Sequence, residues 1–129
     1  MERLALVTLV VDDYDEAIRY YTGILGFELL EDTRLSESKR WVRVAPSGRG
    51  PELLLARAAD ERQRASVGNQ TGGRVAFFLH TDDFRRTYEA YQAAGVRFVE
   101  EPRHEEYGTV VVFEDLYGNR WDLIEPRTG

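Results

Sequence analysis

The sequence contains no cysteine, which excludes disulfide scaffolds, cysteine nucleophiles, zinc ribbons and iron–sulfur clusters together. It has no apolar run near the roughly 18–20 residues that carry a helix across a bilayer, so no membrane partner is expected. Positive charge is also short. Lys and Arg number 17 against 23 Asp and Glu, a formal net charge of −6 with both histidines neutral. Nucleic-acid binding relies on clustered cations that neutralise phosphates, so no nucleic-acid partner is expected either. Met1-Glu2-Arg3 and the short apolar stretch after it show no small-residue cleavage site, and the expected location is cytoplasmic. No Gly-rich phosphate loop, serine-centred nucleophile elbow or His-Glu-x-x-His motif occurs. What remains is 129 residues, 43% hydrophobic and 31% charged, the make-up of one globular domain. A cytosolic domain handling a small molecule is the economical reading.

Residues 3–11 are β-rich and nearly all apolar, the pattern of a buried strand. Asp13 has the character of an N-cap, and Glu16 three residues on completes a capping box. Tyr14, Ala17, Ile18, Tyr21 and Leu25 then form one stripe of an amphipathic helix, which Gly26 ends. Strands are expected around 27–33, 40–46 and 52–57, with a turn at Pro46-Ser47-Gly48-Arg49-Gly50-Pro51. The polar run to Gly73 reads as a linker with a short helical turn at 59–65. Beyond it come a strand from Arg74 to His80 and a helix after Asp82-Asp83 with the stripe Phe84, Tyr88, Tyr91. Gly95 closes that helix, and strands are expected near 96–100, 108–114 and 120–125.

That is strand, helix and three strands, twice over. Asp13 and Asp83, Gly26 and Gly95, and Glu52 and Asp122 are each 69 or 70 positions apart. The expected organisation is a single domain of two modules, about 3–58 and about 74–126, joined by a linker at about 59–73. An internal repeat of this kind implies two similar modules related by a local twofold.

The stretch LVTLVVDDYDEAIRYYTGILGFEL, with Asp13, Tyr20-Tyr21 and Leu25-Gly26-Phe27, resembles the opening of the vicinal oxygen chelate superfamily. That group includes glyoxalases, bleomycin-resistance proteins and ring-cleaving dioxygenases. FEDLYGNRWDLIEP resembles its Asp-Pro-x-Gly-Asn signature, with Leu116 in place of the proline. The resemblance runs from about Leu4 to Pro126. It implies an α+β fold, a repeated βαβββ module whose curved mixed sheets enclose a cavity, and a homodimer. In many members inward-facing side chains hold a metal that stabilises an oxyanion as a Lewis acid.

The family's usual ligands are a His or Gln on the first strand of a module and a Glu on the last. The first-strand positions here fall on Leu6 and on Ala76 or Arg74, none of which is a neutral nitrogen donor. An arginine does not give up its proton in a protein. The last-strand positions keep acids, Glu52 and Asp122. The first reading is therefore a protein that binds a small, partly aromatic or anionic molecule without the usual metal or another cofactor, with Arg74 paired to Asp122. The alternative is a metal-dependent glyoxalase-like lyase, an isomerase or a ring-cleaving dioxygenase. Its Glu52 and Asp122 would hold a hydrated divalent ion and supply a general base.

The candidate ligand contacts are Arg74 with the aromatics Trp41, Phe78, Tyr107 and Trp121, which together with Phe113 would form a stackable wall. Core packing competes for each of them. His80 lies six positions beyond Arg74, roughly 20 Å along a strand, and reads as a solvated polar residue. His104 falls in a loop or strand start, where an imidazole is exposed or acts as an acid or base. Arg57, Arg62 and Arg64 could grip an anionic group, but they alternate with Asp60 and Glu61 and read as a solvated helix face, and Gly118-Asn119 suits a tight hairpin turn.

Overall fold

Alternation along the first strand decides which way it faces. The structure, a computed structural model, describes residues 1–128. Its chain divides into two units, Met1–Val67 and Gly68–Gly129, a boundary inside the segment read as a linker.

In the first unit β1 (Leu6–Val11) pairs in parallel with β4 (Glu52–Arg57). β3 (Arg40–Ala45) lies antiparallel to β4, and β2 (Glu28–Arg34) antiparallel to β3, giving the order β1-β4-β3-β2. A parallel neighbour requires a crossover. It is made by α1 (Tyr14–Ile18), which runs on as a π-helical segment over Arg19–Ile24. Asp13 caps α1 as expected, its Oδ2 accepting from the Glu16 amide at 2.8 Å. Gly26, at φ +75°, ends the helical run.

The widening to π geometry was not legible in the 3.6-residue stripe. The Leu25 amide donates to the Tyr20 carbonyl at 3.1 Å, one residue further back than in an α-helix. Thr22 donates its hydroxyl to the Ile18 carbonyl at 2.6 Å, a side-chain bond of the kind that bends helices. The extra residue keeps Tyr21 wholly buried against Phe27.

Leu9, Val11, Val42, Val44 and Leu55 are fully buried and form the core of this unit with Ala17 and Tyr21. Burial of each Leu or Val stabilises the fold by roughly 1.5–3 kcal/mol. The opposite sheet face, by strand alternation, carries Leu6, Val10, Glu52, Leu54, Ala56, Trp41 and Arg43, all only partly buried. The polar run after Ala58 contains a helix, α2 (Glu61–Ser66), capped by Asp60 through the Gln63 amide at 2.8 Å.

The second unit repeats the plan. β5 (Val75–His80) is parallel to β9 (Arg120–Pro126), and β9 is antiparallel to β8 (Gly108–Glu114). α3 (Phe84–Ala93) makes the crossover. Asp83 caps it through the Arg86 amide at 3.1 Å, and Gly95 follows it at φ +88°. The single strand expected near 96–100 is instead two short pieces, β6 (Arg97–Phe98) and β7 (Arg103–Glu105), both on β8. Pro102 has no amide to donate. The Val112 amide that this stretch would pair is taken by the Glu100 carboxylate at 3.0 Å.

The turn Asp115–Asn119 accounts for the C-terminal signature. Asp115 and Asn119 are 5% and 3% exposed. The Asp115 carboxylate accepts from the Tyr117 and Asn119 amides, the Asn119 side chain and the Trp121 indole, all at 3.0–3.4 Å. Gly118 sits in the turn at φ +99°. The motif is a folding device, as the hairpin reading of Gly118-Asn119 anticipates.

Candidate functional site

In each unit a helix covers one sheet face, and the acids at the repeated last-strand position stand on the other. Glu52, on β4, is the cross-strand neighbour of Leu6. Its carboxylate is not open. Arg43 on β3 donates through Nη1 to Glu52 and through Nε to Glu31 on β2 at 3.1 Å. Bonding to Glu52 first, and to Glu31 second, pushes the Arg43 pKa up. Thr33 and then Arg43 hold the Glu31 carboxyl below its ordinary value. Neither Arg43 nor Glu31 was among the sequence candidates. The signal was present in the alternation, which puts Arg43 on the face of Trp41.

Asp122, on β9, is the cross-strand neighbour of Phe78 on β5 and Val112 on β8. Its Oδ1 is buried with no hydrogen-bond partner. Burial pushes its pKa up, and the Glu100 charge adds to that while Arg103 opposes it. The expected pairing of Arg74 with Asp122 does not form. Arg74 is exposed just before β5, with its carbonyl accepting from the Thr71 hydroxyl at 2.6 Å. The arginine near Asp122 is Arg103, ion-paired to Glu100 and Glu105 at 3.1 and 3.0 Å.

The aromatic candidates divide. Phe78 is 63% exposed beside Asp122, and Tyr107 is 53% exposed in the β7–β8 turn. Trp41 is partly buried on the uncovered face of the first sheet. Trp121 and Phe113 are corrected to core. They are 3% and 0% exposed, stacked with centroids 5.8 Å apart on the face beneath α3. An odd–even shift along β9 puts Trp121 on the face opposite Asp122. His80 is exposed at the end of β5. His104 is exposed on β7, its Nδ1 3.2 Å from the Thr109 hydroxyl. It borders a shallow pocket of about 270 Å³ with Glu105, Glu125 and Arg127.

A larger pocket, about 740 Å³, lies wholly within the first unit at the Arg57 end of β4. Trp41, Leu54 and Ala56 contribute apolar surface to it, and α2 with its flanks contributes Ala59, Gln63 and Arg64. Tyr14 lies there between α1 and β3, its hydroxyl accepting from the Arg40 amide at 3.2 Å. The guanidiniums of Arg40 and Arg57 stand over its ring at 5.1 and 5.7 Å from the centroid.

The donor set does not fit a transition metal. In the first unit the one carboxylate at the family position is bonded to a guanidinium, and its cross-strand neighbour is leucine. In the second the carboxylate faces a phenylalanine. Nitrogen donors are what nickel, zinc and iron favour, and both histidines lie elsewhere. Among the described residues no three of His, Asp and Glu converge as a metal cage.

Residues 3–123 match the sequence pattern of the Glyoxalase/Bleomycin resistance protein/Dioxygenase superfamily. An uncharacterized protein of Shewanella frigidimarina (strain NCIMB 400) is 55% identical over 121 residues, 92% of this chain and 90% of its own length. The crystal structure of UcmS2 superposes with a TM-score of 0.84 at 34% identity, over 97% of this chain and 98% of that one. TnmS3, an antibiotic binding protein from Streptomyces sp. CB03234, superposes with a TM-score of 0.79 at 27% identity, over 98% of each chain.

Proposed function

Because the chain belongs to the Glyoxalase/Bleomycin resistance protein/Dioxygenase superfamily, we propose that it binds a small organic molecule on the uncovered faces of its sheets, without a metal or other cofactor. The observation that carries this reading is the Arg43–Glu52 pair, in which a guanidinium occupies the carboxylate that a metal would need. Exposed Phe78 beside Asp122 supplies apolar contact surface of the kind that small-molecule sites use. Similarity to the antibiotic binding protein TnmS3 supports sequestration over catalysis.

Thermal melting against a panel of aromatic antibiotics, with and without EDTA, tests the reading. At least one compound raises the midpoint by mass action, EDTA leaves the rise intact, and Phe78→Ala diminishes it. A rise that appears only with added divalent metal overturns it.

We also propose a homodimer. Leu29 and Leu30, 44% and 39% exposed, stand on β2, an edge strand of the first sheet, and exposed apolar edges invite pairing. Size-exclusion chromatography at micromolar concentration gives a dimer, and a strict monomer refutes it. No helix among the described residues is long and apolar enough to cross a membrane.

A further inference from the structure

The pocket at the Arg57 end of β4 lies at the opposite end of that strand from Glu52, about 17 Å away at the usual strand rise. It is therefore a different place from the family's acid position. Its charge is lopsided, with Lys39, Arg40, Arg57 and Arg64 facing a single acid, Asp12. Two of those cations are already committed. Arg40 is ion-paired to Asp32 at 2.7 Å and to Asp15 at 3.0 Å, and Arg64 to Glu61 at 2.8 Å.

Arg57 is not so committed. Its Nη2 donates to the Ser38 carbonyl at 3.1 Å and its guanidinium rests over the Tyr14 ring, but no carboxylate pairs with it among the described residues. The ring and the carbonyl fix the guanidinium in place while leaving its charge unneutralised. A guanidinium held in this way is preorganised for a planar, bidentate anion. Lys39, beside it in the lining, adds a second cation without a carboxylate partner. In a chain of net charge −6, this local excess of positive charge draws an anion to one spot.

The floor is of another kind. Trp41, Leu54 and Ala56 offer apolar surface and an indole to stack on, at the strand end where β3 and β4 are no longer paired beyond Val42 and Leu55. The volume, about 740 Å³, lies in the range of roughly 300–1,000 Å³ that holds a small organic ligand. We propose that this pocket is a binding site for a flat aromatic carboxylate, with the carboxylate on Arg57 and Lys39 and the ring system on Trp41. The inference shares the uncovered face of the first sheet with the sheet-face reading, through Trp41, and rests on it to that extent, but it uses none of Glu52, Phe78 or Asp122.

The test uses the full chain with 2-naphthoate, its neutral counterpart 2-naphthalenemethanol, and acetate, by calorimetric titration and tryptophan fluorescence. Only Trp41 and Trp121 report, and Trp121 is buried in core. The expected result is one 2-naphthoate per chain, at least about 10-fold tighter than 2-naphthalenemethanol, with no detectable acetate binding and with affinity falling as salt rises. Arg57→Gln weakens 2-naphthoate about 10-fold, Lys39→Gln weakens it less, and Trp41→Phe abolishes the fluorescence change. The melting midpoint of each variant checks its fold, and Lys39→Gln serves as the second variant because Lys39 is exposed.

Equal affinity for the acid and the alcohol overturns the proposal. So does undiminished 2-naphthoate binding in both folded charge variants, or no binding to the wild-type chain below about 1 mM. Loss of binding on Phe78→Ala with retention on Arg57→Gln also overturns it, and leaves the sheet-face reading standing.

Discussion

Arg43 is bonded to Glu52 across adjacent strands, and the same guanidinium reaches Glu31 on its other side. The resemblance implies that Glu52 stands at the family's carboxylate-ligand position, and there a fixed internal cation already holds it. Mn²⁺, Ni²⁺ and Zn²⁺ at millimolar concentration leave the wild-type melting midpoint unchanged. Arg43→Ala lowers the midpoint, because two carboxylates then face each other without a counter-charge. The sign with pH follows from Glu31, whose pKa is held down in the fold. Its contribution is present above the ordinary carboxylate range and is lost as pH falls through its folded value. The gap between wild type and Arg43→Ala closes as pH drops below about 4. Melting scans over pH 3–8 check both statements, and a gap that persists in acid contradicts them.

Asp115 is the acceptor on which the β8–β9 turn is built. Asp115→Ala leaves the Trp121 indole, the Asn119 amide and the Asn119 side chain without their partner, all in a buried turn. A buried donor left unsatisfied costs roughly 1–3 kcal/mol, so a loss of about 3 kcal/mol or more is expected in urea unfolding. Asp115→Asn keeps one acceptor and loses less. A loss below about 1 kcal/mol for the alanine variant shows that the turn is held by something else.

The fold was legible because its signals are local. The caps at Asp13 and Asp83, the glycines Gly26 and Gly95 and the apolar runs of β1 and β5 each act within a few residues, and each occurs twice. The site was legible only in part. The acid positions follow from the repeat, but the partner of Glu52 lies nine residues away on another strand, and pairing of this kind depends on sheet order and register. Trp121 was misplaced by one step of alternation, which moves a side chain from the open face to the core. Arg74 failed as a partner for Asp122 because the parallel register sets Phe78, four residues further along, beside Asp122. The split of β6 from β7 came from Glu100 taking a backbone amide, a substitution that no propensity describes.

The two helix caps allow a matched comparison. Asp13 accepts from the Glu16 amide at 2.8 Å and Asp83 from the Arg86 amide at 3.1 Å. Replacing either by alanine is expected to cost about 1 kcal/mol, the usual value for a lost N-cap oxygen. Chemical denaturation of Asp13→Ala and Asp83→Ala measures this. Asparagine at either position restores most of the loss, since its side-chain oxygen accepts the same bond. An alanine variant with an unchanged midpoint means that its helix is held by packing alone.

Asp122 is placed at a cost to the fold, and that cost has a pH signature. Its Oδ1 is shut away from solvent without a partner, and burial raises its pKa, with Glu100 raising it further against the opposing pull of Arg103. A carboxyl whose pKa is higher folded than unfolded contributes most when protonated, below its unfolded value of about 3.9. That contribution is lost as pH rises through the folded value, so at neutral pH the ionised group is a liability. Asp122→Asn removes the charge and is expected to raise the stability of the chain at pH 7. The gain shrinks towards zero below about pH 3.5, where the wild-type carboxyl is neutral as well. Paired urea titrations at the two pH values measure it. A variant less stable than wild type at pH 7 would mean that the carboxylate is held by an attraction stronger than its burial, and the charge would then have to be assigned to binding rather than to strain.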